Sequence, residues 1–137
     1  MEREIPENLT RRDKDILHIL WDSDESMTAS QIVSQDEGLT VNTVQAVLRK
    51  LLKSNLVEVD KIVYSGTVLS RSYRPVISEA DFEISGFCER LGKMKRPFPV
   101  SSVMEALLGT ADASWDVKEE ISKMEKMLEK YKRENMM

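Results

Sequence analysis

The spacing of apolar residues changes at Leu56, and this change limits the folds open to the first half of the chain. Up to Lys53 apolar residues recur every three or four positions, as on one face of a helix. From Leu56 to Arg74 they alternate with polar residues, as on a half-buried strand. Ser65-Gly66 interrupts the alternation with turn-forming residues, and Pro75 ends it because proline has no N–H to donate. The first half therefore predicts helices followed by a β-hairpin.

Three threonines mark the predicted starts of the helices in this half. A threonine hydroxyl can accept a hydrogen bond from an N–H group that the first turn of a helix leaves unpaired. Thr10 with Asp13 resembles a capping box and opens a helix that runs to about Trp21. Thr28 opens a short second helix, and Thr40 opens a third. Three helices in succession are therefore expected before the hairpin.

The chain after the hairpin is predicted to be helical. Ser78 with Asp81 forms another capping-box pair, and the helix it opens ends at a break from Gly92 to Pro99. A short helix then ends at Gly109, and Ser114 caps the last helix. Three further helices are expected.

This order of elements is that of a winged helix-turn-helix module followed by helices, so the predicted fold is mainly α. Residues 1–76 are predicted to form a winged-helix DNA-binding domain, with three helices and a β-hairpin wing. Residues 77–137 are predicted to form a three-helix dimerisation domain. In such a module the third helix is the recognition helix, which lies in the major groove of DNA.

Positive charge is concentrated in the predicted recognition helix and wing. The 137 residues carry a net charge of -4, yet residues 40–75 hold six Lys and Arg against two Asp and Glu, a balance of +4. A local basic patch can attract a polyanion even on an acidic protein. This distribution favours nucleic acid as the partner.

The first turns of the recognition helix carry the residues predicted to read bases. Asn and Gln side chains can pair with the donor and acceptor edge of adenine, while Thr and Val can contact a thymine methyl group. The predicted base-reading residues are Val41, Asn42, Thr43 and Gln45. The set favours operators that contain A·T pairs.

A second group of residues is predicted to hold the DNA backbone. Cationic and hydroxyl side chains further along the helix and on the hairpin would meet phosphates, which position a protein and make its binding salt-dependent. These residues are Thr40, Arg49, Lys50, Lys53, Lys61, Arg71 and Arg74. Two alternatives stay open here: the polar face is only solvated, or the basic face meets an acidic protein surface, as in a winged-helix adaptor.

The last helix shows a heptad seam that predicts a partner surface. Apolar residues also recur every three or four positions on the first helix after the hairpin. The predicted dimerisation residues are Ile84, Phe87, Leu91, Val117, Ile121, Met124, Leu128 and Tyr131. A homodimer would place two recognition helices roughly 34–36 Å apart, or a multiple of that, on a palindromic operator. The alternative is that the seam packs within its own chain.

The sequence offers no catalytic, cofactor or metal constellation. His18 and Cys88 are the only histidine and cysteine and lie far apart, so the usual zinc ligand sets are lacking, and the glycines are isolated rather than grouped in a phosphate-binding loop. His18 is expected to be a surface or partly buried residue, and Cys88 a small apolar filler. The longest apolar run, Ile16 to Trp21, is too short to span a bilayer. A cytoplasmic, non-enzymatic protein is expected.

Three stretches resemble a known family, the penicillinase repressors, also called the BlaI/MecI type. They are LTRRDKDILHILWD (Leu9 to Asp22), TVNTVQAVLRKLLKSNLV (Thr40 to Val57) and SYRPVISEADF (Ser72 to Phe82). The resemblance implies a homodimeric repressor with an N-terminal winged helix and a C-terminal helical dimerisation region.

The resemblance also implies roles for single residues. Asn42, Thr43 and Gln45 match the family's base-facing positions, whereas Lys50 stands where relatives usually have Arg and Asn55 where they usually have Gly. The first departure keeps the charge but loses bidentate geometry, and the second still permits a left-handed turn.

The sequence lacks the features by which some family members are known to be released from DNA. Some penicillinase repressors are inactivated when a membrane sensor protease cuts an Asn-Phe bond in the region that corresponds to Val100–Ala113. This sequence contains no Asn-Phe pair, and it also lacks the paired cysteines of copper-responsive relatives. A sensor protease is therefore a doubtful partner for this chain.

Overall fold

Six helices and three strands lie within the described residues, 5–111 and 114–136, of the computed structural model. In chain order they are α1 (Arg11–Asp22), β1 (Met27–Thr28), α2 (Ala29–Val33), α3 (Val41–Lys53), β2 (Val57–Ser65), β3 (Val68–Pro75), α4 (Glu79–Gly92), α5 (Val100–Gly109) and α6 (Val117–Asn135). The predicted succession of three helices, a hairpin and three helices is confirmed. The fold is a mainly helical winged helix-turn-helix, in which α3 is the predicted recognition helix and β2 and β3 form the wing.

Reciprocal side-chain caps begin α1 and α2. The Asp13 N–H donates to Thr10 Oγ1 at 3.1 Å, and the Thr10 N–H donates to Asp13 Oδ2 at 2.8 Å. Thr28 and Gln31 form the same capping box at the start of α2. Each box satisfies an N–H of the first turn and the N–H of the cap residue itself, so both helix starts are fixed by local sequence.

The start of α6 differs from the prediction. Its N-cap is Asp116, whose carboxylate accepts a hydrogen bond from the Glu119 N–H at 3.1 Å, and not Ser114. Serine and aspartate cap helices about equally well, so residue preference alone does not distinguish Ser114 from Asp116. The aspartate lies directly before the first helical residue and takes the role.

The wing belongs to a three-stranded antiparallel sheet with the order β1-β3-β2. In β1, Met27 pairs with Tyr73 and Thr28 with Ser72. The sequence did not predict β1, because two residues are too few to show an alternating pattern. Through this pairing the segment between α1 and α2 holds the base of the wing in place.

The core lies among α1, α2, α3 and the base of the wing. Its most buried apolar residues are Ile16, Leu17, Leu20, Ile32, Val44, Leu48, Leu51, Leu56 and Val57. Those on α1 and α3 recur at the spacings of three and four that predicted each helix. The core thus fixes which face of α3 remains outside.

Two compact units divide the chain, the first extending to Met94 and the second beginning at Lys95. Helix α4 lies in the first unit, where Trp21 Nε1 donates a hydrogen bond to the carbonyl of Ile77 at 2.9 Å and the Trp21 ring meets the Phe82 ring edge-on at 5.4 Å. Cys88 on α4 is exposed, so its predicted role as an apolar filler is wrong. The boundary predicted between residues 76 and 77 separated a DNA-binding domain from a dimerisation domain, and that division of roles stays a prediction.

The second unit has no interior of its own among the described residues. Neither α5 nor α6 contains a buried residue, although both carry apolar side chains at helical spacing. Across ranges 5–111 and 114–136, none of the helices is long and apolar enough to cross a membrane.

We expect Leu51→Ala to lower the free energy of unfolding by about 2–5 kcal/mol, because it removes a fully buried side chain and leaves a cavity at the centre of the first unit. Leu69→Ala is the matched control, since Leu69 is an exposed leucine on the wing. Urea denaturation followed by tryptophan fluorescence measures both. Equal losses from the two variants would contradict this location of the core.

Candidate nucleic-acid interface

The recognition helix α3 is divided lengthwise into a buried face and an exposed face. Val44, Val47, Leu48 and Leu51 are buried in the core. The opposite face exposes the side chains of Val41, Asn42, Gln45, Arg49 and Lys53. The polar residues predicted to read bases therefore project away from the core, next to two cations on the same helix.

Two threonine hydroxyls are ordered at the start of α3. Thr40 Oγ1 accepts from the Thr43 N–H at 3.2 Å and donates to Thr43 Oγ1 at 2.9 Å. The predicted Thr40 cap is therefore confirmed. The half-buried Thr43 hydroxyl is thereby held beside Thr40 at the start of the helix.

Lys50 points away from the exposed face of α3. Its ammonium donates to Asp13 Oδ2 and to the carbonyl oxygen of Asn8, each at 2.6 Å. The Asp13 side chain is only 4% exposed, and a buried carboxylate is costly without a countercharge. Lys50 was predicted to hold phosphate, but the structure uses its charge inside the first unit, where it ties α3 to the start of α1.

Burial and hydrogen bonding shift the pKa of the Asp13 carboxyl in opposite directions. Burial alone would raise the pKa of the Asp13 carboxyl. The hydrogen bond from Lys50, those from Thr10 and the nearby ammonium charge outweigh burial, so the pKa of Asp13 lies below its ordinary value. The carboxylate stays ionised and bound at neutral pH.

Arg74, also predicted to hold phosphate, is paired within the wing. Its guanidinium contacts Glu58 Oε1 at 2.6 Å and Asp60 Oδ1 at 3.1 Å. The hydrogen bond to Glu58 and the charges of both carboxylates raise the pKa of Arg74 above its usual range. Both acidic residues of the wing are thus ion-paired with one arginine at its base, whose single positive charge offsets one of their two negative charges.

The four remaining predicted cations have exposed side chains. They are Arg49, Lys53, Lys61 and Arg71. Within ranges 5–111 and 114–136, no carboxylate lies within 4.0 Å of any of them. Four of the six predicted cations are therefore exposed and unpaired within this range, whereas Lys50 and Arg74 are ion-paired, and phosphate contact by any of the six stays a prediction.

The outer part of the wing carries an apolar surface that sequence reasoning missed. Ile62, Tyr64, Val68 and Leu69 are all exposed. The alternation of residues had shown a strand but not how far the ribbon extends beyond the core. A signal was present, because apolar residues occupy both strands up to the turn at Gly66.

The residues predicted to form a dimer are exposed or half-buried, and their role stays a prediction. On α4, Ile84 and Phe87 are exposed and Leu91 is half-buried. On α6, the exposed members are Val117, Ile121, Leu128 and Tyr131, and Met124 is half-buried. Each helix therefore presents an apolar stripe at its surface.

The only histidine of the sequence lies outside the candidate interface. His18 is an exposed residue of α1, 3.8 Å from a carboxylate oxygen of Glu79 and edge-on to the Trp21 ring, as the sequence suggested for a surface histidine. Among the described residues, no three His, Cys, Asp or Glu side chains gather as metal ligands. What the first unit brings together is a polar, cationic helix face and a wing.

The fold is that of the winged-helix class of DNA-binding regulators. The model of the penicillinase repressor family matches residues 9–130, and the chain belongs to that family. The family confirms the resemblance carried by the three sequence stretches and is one of repressors, not of enzymes. No curated protein matches the sequence.

Solved structures show more distant similarity. MepR, a transcription regulator of the Staphylococcus aureus multidrug efflux pump MepA, has a TM-score of 0.42 at 14% identity over 90% of this chain and 81% of its own. A point mutant of S. aureus MepR bound to an oligodeoxyribonucleotide has a TM-score of 0.45 at 14% identity, with 90% and 80% covered. The ferric uptake regulator of Francisella tularensis has a TM-score of 0.43 at 15% identity. That match spans 55% of this chain and only 58% of the regulator.

We expect the Asp13–Lys50 contact to make stability sensitive to acid. Asp13 has a lowered pKa in the folded protein and an ordinary one, about 3.9, when unfolded. Its stabilising contribution is therefore complete above that value and is lost as pH falls through the lower, folded pKa. Urea denaturation at pH steps from 7 to 3 measures the effect.

Asp13→Asn supplies the control for this prediction. The variant should be less stable than wild type at pH 7, and the difference should shrink as pH falls below about 4. A difference that stays constant over this range would contradict the assignment.

Proposed function

We propose that this protein is a sequence-specific transcriptional repressor that acts as a homodimer on a palindromic operator, in the cytoplasm where that DNA lies. The observation that carries the proposal is the exposed face of α3. It aligns amide side chains and available cations on one helix whose opposite face is fixed in the core. Membership of the penicillinase repressor family supports it.

The proposed roles follow the two kinds of side chain on α3. Asn42 and Gln45 lie on the exposed face within the first turns and would pair with base edges. Val41, exposed at the start, would contact a thymine methyl, and Thr43 would donate its hydroxyl proton to base or phosphate. The adjacent hydroxyl of Thr40 orients Thr43.

Phosphate contact is proposed for the available cations, namely Arg49, Lys53, Lys61 and Arg71. Lys50 and Arg74 are assigned structural roles instead, because each is bound to carboxylates of its own chain. A cation that is already paired releases fewer counterions when it approaches DNA, since the phosphate must compete with its partner.

Dimerisation is supported by the second unit. A helix with exposed apolar residues at heptad spacing and no buried residue among those described gains stability by packing against another copy. The α6 stripe from Val117 to Tyr131 meets this description, and α4 presents Ile84 and Phe87. Two-fold symmetry of the pair would require two equivalent half-sites in the DNA.

The proposed function is tested by selection from a library of random duplexes with the purified protein. A repressor of this kind enriches one palindrome, and the protein then protects both half-sites in a footprint. Equally weak binding to all sequences would refute the proposal and favour the winged-helix adaptor, in which the basic face meets an acidic protein.

We expect Gln45→Ala to relax the base preference at one position of each half-site. Loss of a bidentate contact removes about 1–3 kcal/mol of discrimination there. Lys53→Ala should instead weaken binding to all sequences alike and reduce the salt slope by about one unit or less. Binding isotherms on matched and mutated operators at several salt concentrations measure both.

Lys50→Ala provides a contrast on the same helix. Because its ammonium is bound to Asp13, we expect this change to lower the free energy of unfolding. The salt slope of DNA binding should change less than it does in Lys53→Ala. A slope change as large as that of Lys53→Ala would contradict the structural role of Lys50.

We expect the double variant Ile121→Asp, Leu128→Asp to sediment as a monomer. Both side chains are exposed on the α6 stripe, and a charge there would have to be buried in a dimer seam. Lys123→Asp, Lys126→Asp is the matched control, since both lysines are exposed on the same helix. Dimers that persist in the double variant would indicate that the interface lies on α4 instead.

A further inference from the structure

A partly open cavity of about 220 Å³ lies in the first unit, between the chain segment before α1 and one face of α4. We call that segment, residues 5–10, the N-terminal arm. The apolar part of the cavity lining consists of Ile5, Pro6, Leu9 and Phe82. Because an apolar cavity of roughly 150 Å³ can hold benzene, this one is large enough for a small organic molecule.

The N-terminal arm is held at two points. Lys93 at the end of α4 contacts Glu7 Oε1 at 2.8 Å and Glu89 Oε1 at 3.5 Å. On the other side, the Asn8 carbonyl accepts a hydrogen bond from the Lys50 ammonium of α3 at 2.6 Å. The wall that the arm contributes is therefore fixed by the protein itself, as is usual for small-molecule sites.

A glycine inside α4 keeps the cavity open. Gly86 lines it at the middle of the helix, where glycine is less favourable than alanine. A Cβ atom at this position would lie 3.5 Å from Arg90 Nη1, so the guanidinium lies over the glycine. The space that a side chain would fill is thus left free beside a cation.

Opposite charges flank this glycine along the helix. Glu83 lies about one turn before it and Arg90 about one turn after it, so the two residues are about 10 Å apart along the axis on one face. Lys14 from α1 also lines the cavity. Within ranges 5–111 and 114–136, none of these three side chains forms an ion pair.

The charges narrow the class of ligand. The cavity is lined by three cations and three carboxylates, namely Lys14, Arg90, Lys93, Glu7, Glu83 and Glu89. A ligand with only a carboxylate would leave Glu83 without a countercharge, and a ligand with only an ammonium would leave Arg90 without one. A small zwitterion offers a partner to both, and an apolar group on it would fit the apolar part of the lining.

We propose that this cavity binds an α-amino acid with a branched aliphatic or aromatic side chain. The ammonium group contacts Glu83, the carboxylate contacts Arg90 and Lys14, and the side chain packs against Leu9 and Phe82. This inference goes beyond the proposed function, because it adds a small-molecule site whose chemistry is unrelated to that of the exposed face of α3.

The site is also separate from the predicted dimer contacts on α4. Ile84, Phe87 and Leu91 do not line the cavity. They lie on a different face of the helix from Glu83 and Arg90. A ligand in the cavity therefore does not compete for the apolar stripe of α4.

The test titrates the isotope-labelled 137-residue chain with L-leucine and with L-phenylalanine and follows the amide signal of Gly86 by NMR. We expect saturable shifts, with a Kd in the millimolar range or tighter. Isocaproate lacks the ammonium group of leucine, and isoamylamine lacks its carboxylate. Each should bind roughly tenfold more weakly than leucine, because it loses a charge-assisted hydrogen bond.

Matched variants locate the ligand. Gly86→Leu should abolish binding, since its side chain occupies the cavity. Gly92→Leu is the control on the same helix, where a Cβ atom meets nothing within 4 Å, and it should bind leucine as wild type does. Glu83→Gln should bind leucine and isocaproate equally, because the contact with the ammonium charge is lost. Circular dichroism melting checks that each variant is folded.

Three results would overturn the inference. They are the lack of a saturable shift at Gly86 with both amino acids, unchanged binding in folded Gly86→Leu, and binding of isocaproate by wild type as tight as that of leucine. The last result would favour a site for simple carboxylates. None of these measurements involves DNA, so failure here leaves the proposed function intact, and failure to select an operator leaves this inference intact.

Discussion

A carboxylate taken out of water must find its countercharge inside the protein, and in this chain that requirement fixes the recognition helix. Asp13 is buried where α1 begins, and its oxygen accepts hydrogen bonds from the Thr10 N–H and the Lys50 ammonium. The same ammonium holds the carbonyl of Asn8. One ion pair therefore links the start of α1 and the chain before it to α3, whose outward face is set by its buried apolar residues.

Periodicity in the sequence was sufficient to predict the six helices, the hairpin and the exposed face of α3, but not the two-residue strand β1. The apolar spacing on α3 identified the buried residues, so the opposite face, with Asn42, Gln45, Arg49 and Lys53, followed by geometry. Local signals also located the capping box of α1. Each of these predictions depends on residues a few positions apart, whose relation is set by helix geometry alone.

Contacts between residues far apart in the sequence could not be predicted from local spacing. Lys50 and Asp13 are 37 positions apart, and nothing local distinguishes Lys50 from Lys53 as the partner of a buried carboxylate. Arg74 was predicted to be available because its partner Glu58 lies on the other strand of the wing. The exposed wing surface was missed for a similar reason. Alternation shows that a strand has two faces, but not whether the rest of the chain covers either of them.

The β-bulge in β2 has a consequence for how the wing can change in length over generations. Asp60 is the extra residue between two regular stretches of the ladder. Deletion of its codon would close the ladder, and Lys61 and Ile62 would keep Ser72 and Arg71 as their partners. Deletion of the Val63 codon would instead carry Tyr64 to the other side of the ribbon, because regular alternation has no spare residue to absorb the loss. A descendant lineage can therefore shorten its wing at the bulge and still keep Ile62, Tyr64, Leu69 and Arg71 on one face of the ribbon.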